Sequence, residues 1–206
     1  SRVGDYQLVA AIYRIPNGPH PDVAALKLLS SVLDDVPSGR LHKALIETHK
    51  AAQLGAGPAV QAEPGYFSLY AVVDKKGSAD EVRKSLFATL DDLIRHPVTD
   101  EELERAKLGF ANGYESLLNN PEQFGVALSS AIAQGDWRLL FLERDQLAGV
   151  TRADVQRVAA NYFKSSNRTV GVFVPSDKPE RVSLPSDARP EELLKGYTGR
   201  KAVEAG

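Results

Sequence analysis

Residues 36–74 read VPSGRLHKALIETHKAAQLGAGPAVQAEPGYFSLYAVVD, and this stretch decides the fold class. Val36-Pro37-Ser38-Gly39 interrupts whatever helix precedes it, and Ser38 is placed to cap a new helix. That helix is predicted from Gly39 to Thr48, with Leu41, Ala44 and Leu45 inward. Ala52 to Gln61 follows as a strand loosened by Gly55, Gly57 and Pro58. Glu63-Pro64-Gly65 turns into Tyr66–Asp74, where Phe67, Leu69, Ala71 and Val73 alternate with Tyr66, Ser68, Tyr70 and Val72. Such period-two alternation is a strand signal. A hairpin at Pro64-Gly65 makes at least part of the sheet antiparallel.

Upstream, Tyr6 to Ile15 is apolar on both faces, which predicts a strand covered on both sides. Pro21 to Asp34 is a helix whose apolar stripe is Ala25, Leu26, Leu29, Val32 and Leu33. Downstream, Ser78–Glu81 and Thr99–Glu102 are capping boxes that open two helices. Asn120-Pro121, Asp136 and Thr151 are starts for three more, and Arg168 to Val174 is a closing strand. The order β-α-α-β-β-α-α-α-α-α-β groups helices in blocks. It predicts an α+β two-layer domain, a mostly antiparallel sheet packed on helices, over residues 1–175. Ser176–Gly206 is rich in proline and charge, and reads as an extended linker or strap toward a following domain.

Composition excludes several functions. With 206 residues there is ample material for a core. A formal charge of −2 and the lack of a basic run argue against nucleic acid. No apolar run reaches the roughly 18 residues of a membrane span, and no signal peptide pattern is present. The absence of cysteine rules out disulfides, thiolate zinc sites and cysteine nucleophiles. Methionine is absent even at position 1, so the chain is expected to be an excised or processed piece of a longer product.

His42, Glu47 and His49 invite a metal site. The two histidines are seven residues apart, too far along a helix to share one ion, and neither H-E-x-x-H nor H-x-x-E-H occurs. They read as solvated residues on an exposed helix face. His20 and His96 sit at helix ends. No G-x-S-x-G elbow is present, and Gly55-Ala56-Gly57 lies inside a strand pattern without a following helix. Glu101, Glu102 and Glu104 open a helix and read as dipole and solubility residues. Trp137 and Phe141, at helical spacing, are expected in the core.

Gly39-Arg40-Leu41, Leu45-Ile46-Glu47, the Ala51-to-Val60 strand and the Pro64-Gly65-Tyr66 hairpin together resemble the pitrilysin/insulinase-like zinc peptidases. The Thr99-x-x-Glu102-Leu103-Glu104-x-Ala106-Lys107 helix and the Thr151-x-x-Asp154-Val155 helix leading into Asn167-Arg168-Thr169-Val170 fit the same pattern, from Gly4 to Pro175. The resemblance implies repeated α+β domains that close two bowls around a peptide chamber, with zinc held by one H-x-x-E-H domain. This chain lacks that motif and resembles the second, non-catalytic domain. It is expected to have no catalytic or metal-ligating residue and to be inactive alone. Zinc would belong to the parent protein.

Relatives of this domain type carry an arginine near the end of the short helix and a tyrosine further on, which polarise the substrate carbonyl. Aligned on Leu45, those positions are Ile46 and Gln53, which are poor donors for an oxyanion. Gln53, Ile46 and Gly55 are therefore the substrate-facing candidates. The implied partners are a catalytic peptidase domain of the same chain or a paired subunit, and a peptide in the chamber. The implied location is the bacterial cell envelope or periplasm, with the cytoplasm as alternative. The competing reading is an assembly module like the non-catalytic subunits of processing peptidases or respiratory-complex core subunits.

Overall fold

Four strands share one sheet: β1 (Tyr6–Arg14), β2 (Gln53–Ala59), β3 (Tyr66–Asp74) and β4 (Arg168–Phe173). Their spatial order is β2-β3-β1-β4, and every neighbouring pair is antiparallel. The computed structural model describes residues 5–176, 183–184 and 187–199. These divide into two units between Pro175 and Ser176. The second contains one short helix, Pro190–Leu193; much of the expected linker, residues 177–182, 185–186 and 200–206, lies outside the described residues.

Residues directly opposite across strands share a face. Val9 faces Ala71 and Val172, Ala11 faces Leu69 and Val170, and Tyr13 faces Phe67. On this inner face Val9, Ala11, Tyr13, Phe67, Leu69 and Ala71 are buried. The helices α1 (Asp22–Asp34), α2 (Ala79–Arg95) and α6 (Arg152–Tyr162) add Leu26, Leu29, Leu86, Leu90, Val155 and Val158 to the same core. Phe163 sits against the rings of Tyr13 and Phe67 at 4.9 and 5.1 Å.

The expectation that β1 is covered on both sides fails. Its other face is open: Tyr6 is 49% exposed, Ile12 41%, and their neighbours Tyr66, Tyr70 and Phe173 are 42–48% exposed. The reason is that the helices supply their buried residues to the Val9 face.

Between α1 and β2 the predicted regular helix is replaced by a π-helical turn at His42–Ile46. The Glu47 N–H reaches the His42 carbonyl at 3.1 Å, and the Lys50 N–H reaches the Leu45 carbonyl at 2.9 Å. No side chain caps this turn, so Ser38 does not act as predicted. His49, at φ 57°, takes the left-handed conformation and turns the chain toward β2. The Val36–Pro37 peptide is cis.

Other helix starts follow their caps. Thr99 and Glu102 form a reciprocal box at α3 (Asp100–Leu118), and Thr151 and Asp154 do so at α6. At α2 only half of the predicted Ser78–Glu81 box forms: Ser78 accepts from the Glu81 N–H without the reciprocal bond, and Asn120 accepts from the Gln123 N–H ahead of α4 (Pro121–Ala133). Asp136 does not cap α5 (Leu139–Gly149). Its carboxylate is taken by the Arg138 backbone N–H and guanidinium instead. Trp137 is half exposed, touching Phe141 edge-on, and is not core.

Two charged contacts tie the helices together. Asp22 accepts from the Tyr162 hydroxyl and pairs with Arg157, both at 2.7 Å, joining α1 to α6. Burial and the Asp22 carboxylate push the Tyr162 phenol up to about 12. Glu102 is more than a solubility residue. Arg40 grips both its oxygens at 2.8 and 2.7 Å and donates to the His96 and Pro97 carbonyls at 2.8 and 3.2 Å. Both side chains are only 17% exposed.

Breaking a half-buried pair by deleting one partner leaves the other charge uncompensated. Arg40→Leu is expected to cost about 3 kcal/mol in urea denaturation. Burial alone would raise the Glu102 carboxyl, but the Arg40 guanidinium and the Thr99 N–H outweigh it and hold the group below 4.5. A depressed carboxyl contributes stability that is complete above the unfolded value and is lost as pH falls through the folded one. The stability gap between the native chain and Glu102→Gln therefore narrows as pH drops below 4.5.

Candidate functional site

The open sheet face is built by period two from every strand. From β1 come Tyr6, Leu8, Ala10 and Ile12; opposite them on β3 stand Asp74, Val72, Tyr70 and Ser68. Gln53 lies opposite Val72, and Gly55 opposite Tyr70, so both candidates from β2 are on this face. Gly171 and Phe173 complete it at the other end, with Phe173 and Tyr6 rings 6.2 Å apart. Gln53 is exposed.

Gly55 has a specific reason to lack a side chain. A Cβ there would fall 2.5 Å from Cε1 of Tyr70 and 2.9 Å from its hydroxyl. The tyrosine ring thus lies across the glycine, covering β2 backbone with an aromatic surface. Ile46 stands apart from this face. It is partly buried against the core, so the three candidates do not converge. Sequence reading missed Tyr6, Ile12, Tyr66, Tyr70 and Phe173. Their signal was the apolar character of β1 and β3 on both faces.

The outer edge of β2 is shut at two positions. The Ala56 N–H donates to the Asp34 carboxylate at 2.8 Å, so it points away from β3. Pro58, two residues on and turned the same way, has no N–H. Burial raises the Asp34 carboxyl, and the Asp35 charge adds to this against the Ala56 hydrogen bond.

The histidine region does not fit zinc. His42 Nδ1 is 3.9 Å from Glu47 Oε1 and lacks a hydrogen bond, while His49 faces solvent. Among the described residues no group of three or more His, Asp or Glu side chains is arranged to hold a metal ion. Nor is any helix among them long and apolar enough to cross a membrane.

Residues 5–110 match the family model described as the peptidase M16 inactive domain. The chain belongs to this family. A solved inactive peptidase domain of a candidate zinc protease from Bordetella parapertussis is 41% identical, with a TM-score of 0.79. The match covers 89% of this chain and 98% of that one. A candidate zinc protease structure from Bordetella pertussis is 40% identical at a TM-score of 0.77, covering 84% and 96%. The zinc protease PqqE of Helicobacter pylori is 25% identical over 168 residues, or 81% of this chain. The chain spans 38% of that curated relative's length. The α+β architecture and the M16 inactive-domain assignment agree with the resemblance drawn from the segments between Gly39 and Val170.

The Gly55–Tyr70 contact is open to a double-mutant cycle. Gly55→Ala is expected to swing the Tyr70 ring off β2 and cost about 1 kcal/mol. In a Tyr70→Ala background the same change is expected to cost close to nothing, as read by chemical denaturation.

Proposed function

We propose that this M16 inactive domain is the non-catalytic wall of a pitrilysin-like zinc metalloendopeptidase. The observation that carries this reading is the open aromatic face of the sheet. Tyr6, Ile12, Tyr66, Tyr70 and Phe173 form one apolar surface, and Gln53 lies at its β2 end. Contiguous exposed apolar patches of this kind mark interaction sites. The partner is the catalytic domain, in the same chain or a paired subunit. That domain supplies the zinc, its H-x-x-E-H ligands and the glutamate base, and attack on the peptide carbonyl by zinc-bound water occurs there.

Gln53 and Gly55 border the chamber. The Gln53 amide offers neutral hydrogen bonds to a peptide, and the Gly55 position keeps the backbone low beneath Tyr70. Ile46 acts from behind, as packing. Residues 1–175 form the wall, and 176–206 join it to the next domain. The bacterial cell envelope is the location this reading favours. The assembly-subunit alternative has no observation of its own here.

The test is reconstitution. The chain alone with added zinc is expected to cleave no peptide, and cleavage is expected to rise when the catalytic domain is added. Ile12→Glu should weaken that association at least tenfold, while thermal unfolding of the chain alone stays nearly unchanged because Ile12 is a surface position. Peptide cleavage by the isolated chain with zinc would overturn the reading. Association without any gain in cleavage would favour a pure assembly role.

A further inference from the structure

On the opposite side of the sheet, α1, β2, α3 and α5 enclose an open cavity of about 1010 Å³. This is at the upper end of the roughly 300–1,000 Å³ typical of ligand sites. Phe110, Leu117, Leu140 and Leu147 make its walls apolar. Most charged side chains at its rim carry their own counter-charge. Glu143 pairs with Lys27 at 2.5 Å, Lys107 with Glu104 at 3.4 Å, and Arg144 with Asp145 at 2.7 Å.

Asp34 and Asp35 are the exception. Asp34 accepts from the Ala56 N–H and Asp35 from the Ser31 hydroxyl, and among the described residues neither carboxylate has a cation partner. The Tyr114 hydroxyl in the same cavity is buried, and the Arg144 guanidinium lies 5.3 Å from the centre of its ring. A carboxylate pair in a mostly apolar cavity is complementary to a cation with apolar flanks. The volume exceeds one side chain, so the occupant is a segment and not a lone amine.

We infer that this cavity binds a short peptide segment in which one lysine or arginine is flanked by apolar residues. The ammonium or guanidinium meets Asp34 and Asp35, and the neighbouring side chains lie on Phe110, Leu140 and Leu147. This site is separate from the open sheet face and stands or falls independently of it. The charge pattern selects a basic segment over an acidic one.

The experiment titrates the ¹⁵N-labelled chain with an acetylated, amidated Leu-Phe-Lys-Leu-Ala peptide. Two companion peptides carry norleucine or glutamate in place of lysine. The lysine peptide is expected to shift the amides of Ala56, Tyr114 and Leu147. The norleucine peptide should bind about tenfold more weakly, as should the lysine peptide to the Asp34→Asn/Asp35→Asn chain. Asparagine still accepts the Ala56 N–H, so the double variant keeps its edge contact. The proposal is overturned if norleucine or glutamate peptides bind as well as lysine, if the double variant binds unchanged, or if no shift occurs at millimolar peptide.

Discussion

A β-sheet has two faces, and this domain's helices bury only one. Everything else follows from that asymmetry. The inner face and its helices form a closed core in which Tyr13, Phe67 and Phe163 meet. The outer face carries a row of apolar side chains along β1, among polar residues such as Asp74, Ser68 and Gln53, and stays in water. A sheet exposed on one side ordinarily alternates apolar-in with polar-out. Here β1 places Tyr6, Leu8, Ala10 and Ile12 outward, with hardly a polar group among them. Such a surface raises the free energy of the isolated chain and rewards any partner that covers it. The fold is self-sufficient in its core and incomplete at its surface.

Completing that surface at its β2 side depends on how the chain enters β2. The segment from Val36 to Ala52 has little regular structure of its own, only a π-helical turn and one left-handed residue. It is fixed by a few tertiary anchors within it. Leu41 and Leu45 insert into the core, and Arg40 grips the Glu102 carboxylate together with two carbonyls at the α2–α3 junction. Arginine's planar fork suits this task, since one side chain satisfies two carboxylate oxygens and the exposed end of a helix. Glu102 is simultaneously the reciprocal half of the Thr99 capping box. One carboxylate therefore sets both where α3 begins and where the approach to β2 lies.

Much of this was legible in the residues. The α3 and α6 caps, the span of β3 and the inward stripe of α1 all follow local rules, because each is decided within a few positions along the chain. Other features were not. The exposure of β1's second face depends on where six distant helices go, and an apolar strand cannot announce which face lacks a cover. Arg40 and Glu102 are 62 residues apart, so Glu102 read as a dipole and solubility residue with nothing to point to its partner. The π-helical turn replaces a predicted α-helix because tertiary anchors at Arg40, Leu41 and Leu45 override local propensity. Gln53 and Gly55 did reach a common face with Tyr70, while Ile46 turned to the core. Period two was sufficient for the first pair. Nothing in the alignment on Leu45 could foresee the second outcome.

The closure of the β2 edge limits the ways in which an extended segment could dock at this end of the sheet. Strand addition draws its affinity from main-chain hydrogen bonds, and so tolerates many sequences. It needs free N–H groups on the outer edge. At Ala56 that group is spent on Asp34, and at Pro58 it does not exist. An extended segment laid along this edge would have to displace a carboxylate and would still lack a donor two residues later. What β2 offers instead is its face, with the Gln53 amide, the Tyr70 ring over Gly55 and the neighbouring Val72. On the proposed chamber-wall reading, a segment met there would be recognised through side chains, which discriminate by size and polarity where a backbone ladder does not. The same carboxylate that seals the edge also faces the inner cavity. Asp34 thus separates two surfaces of the domain, and the chemistry on one side of it need not resemble the chemistry on the other.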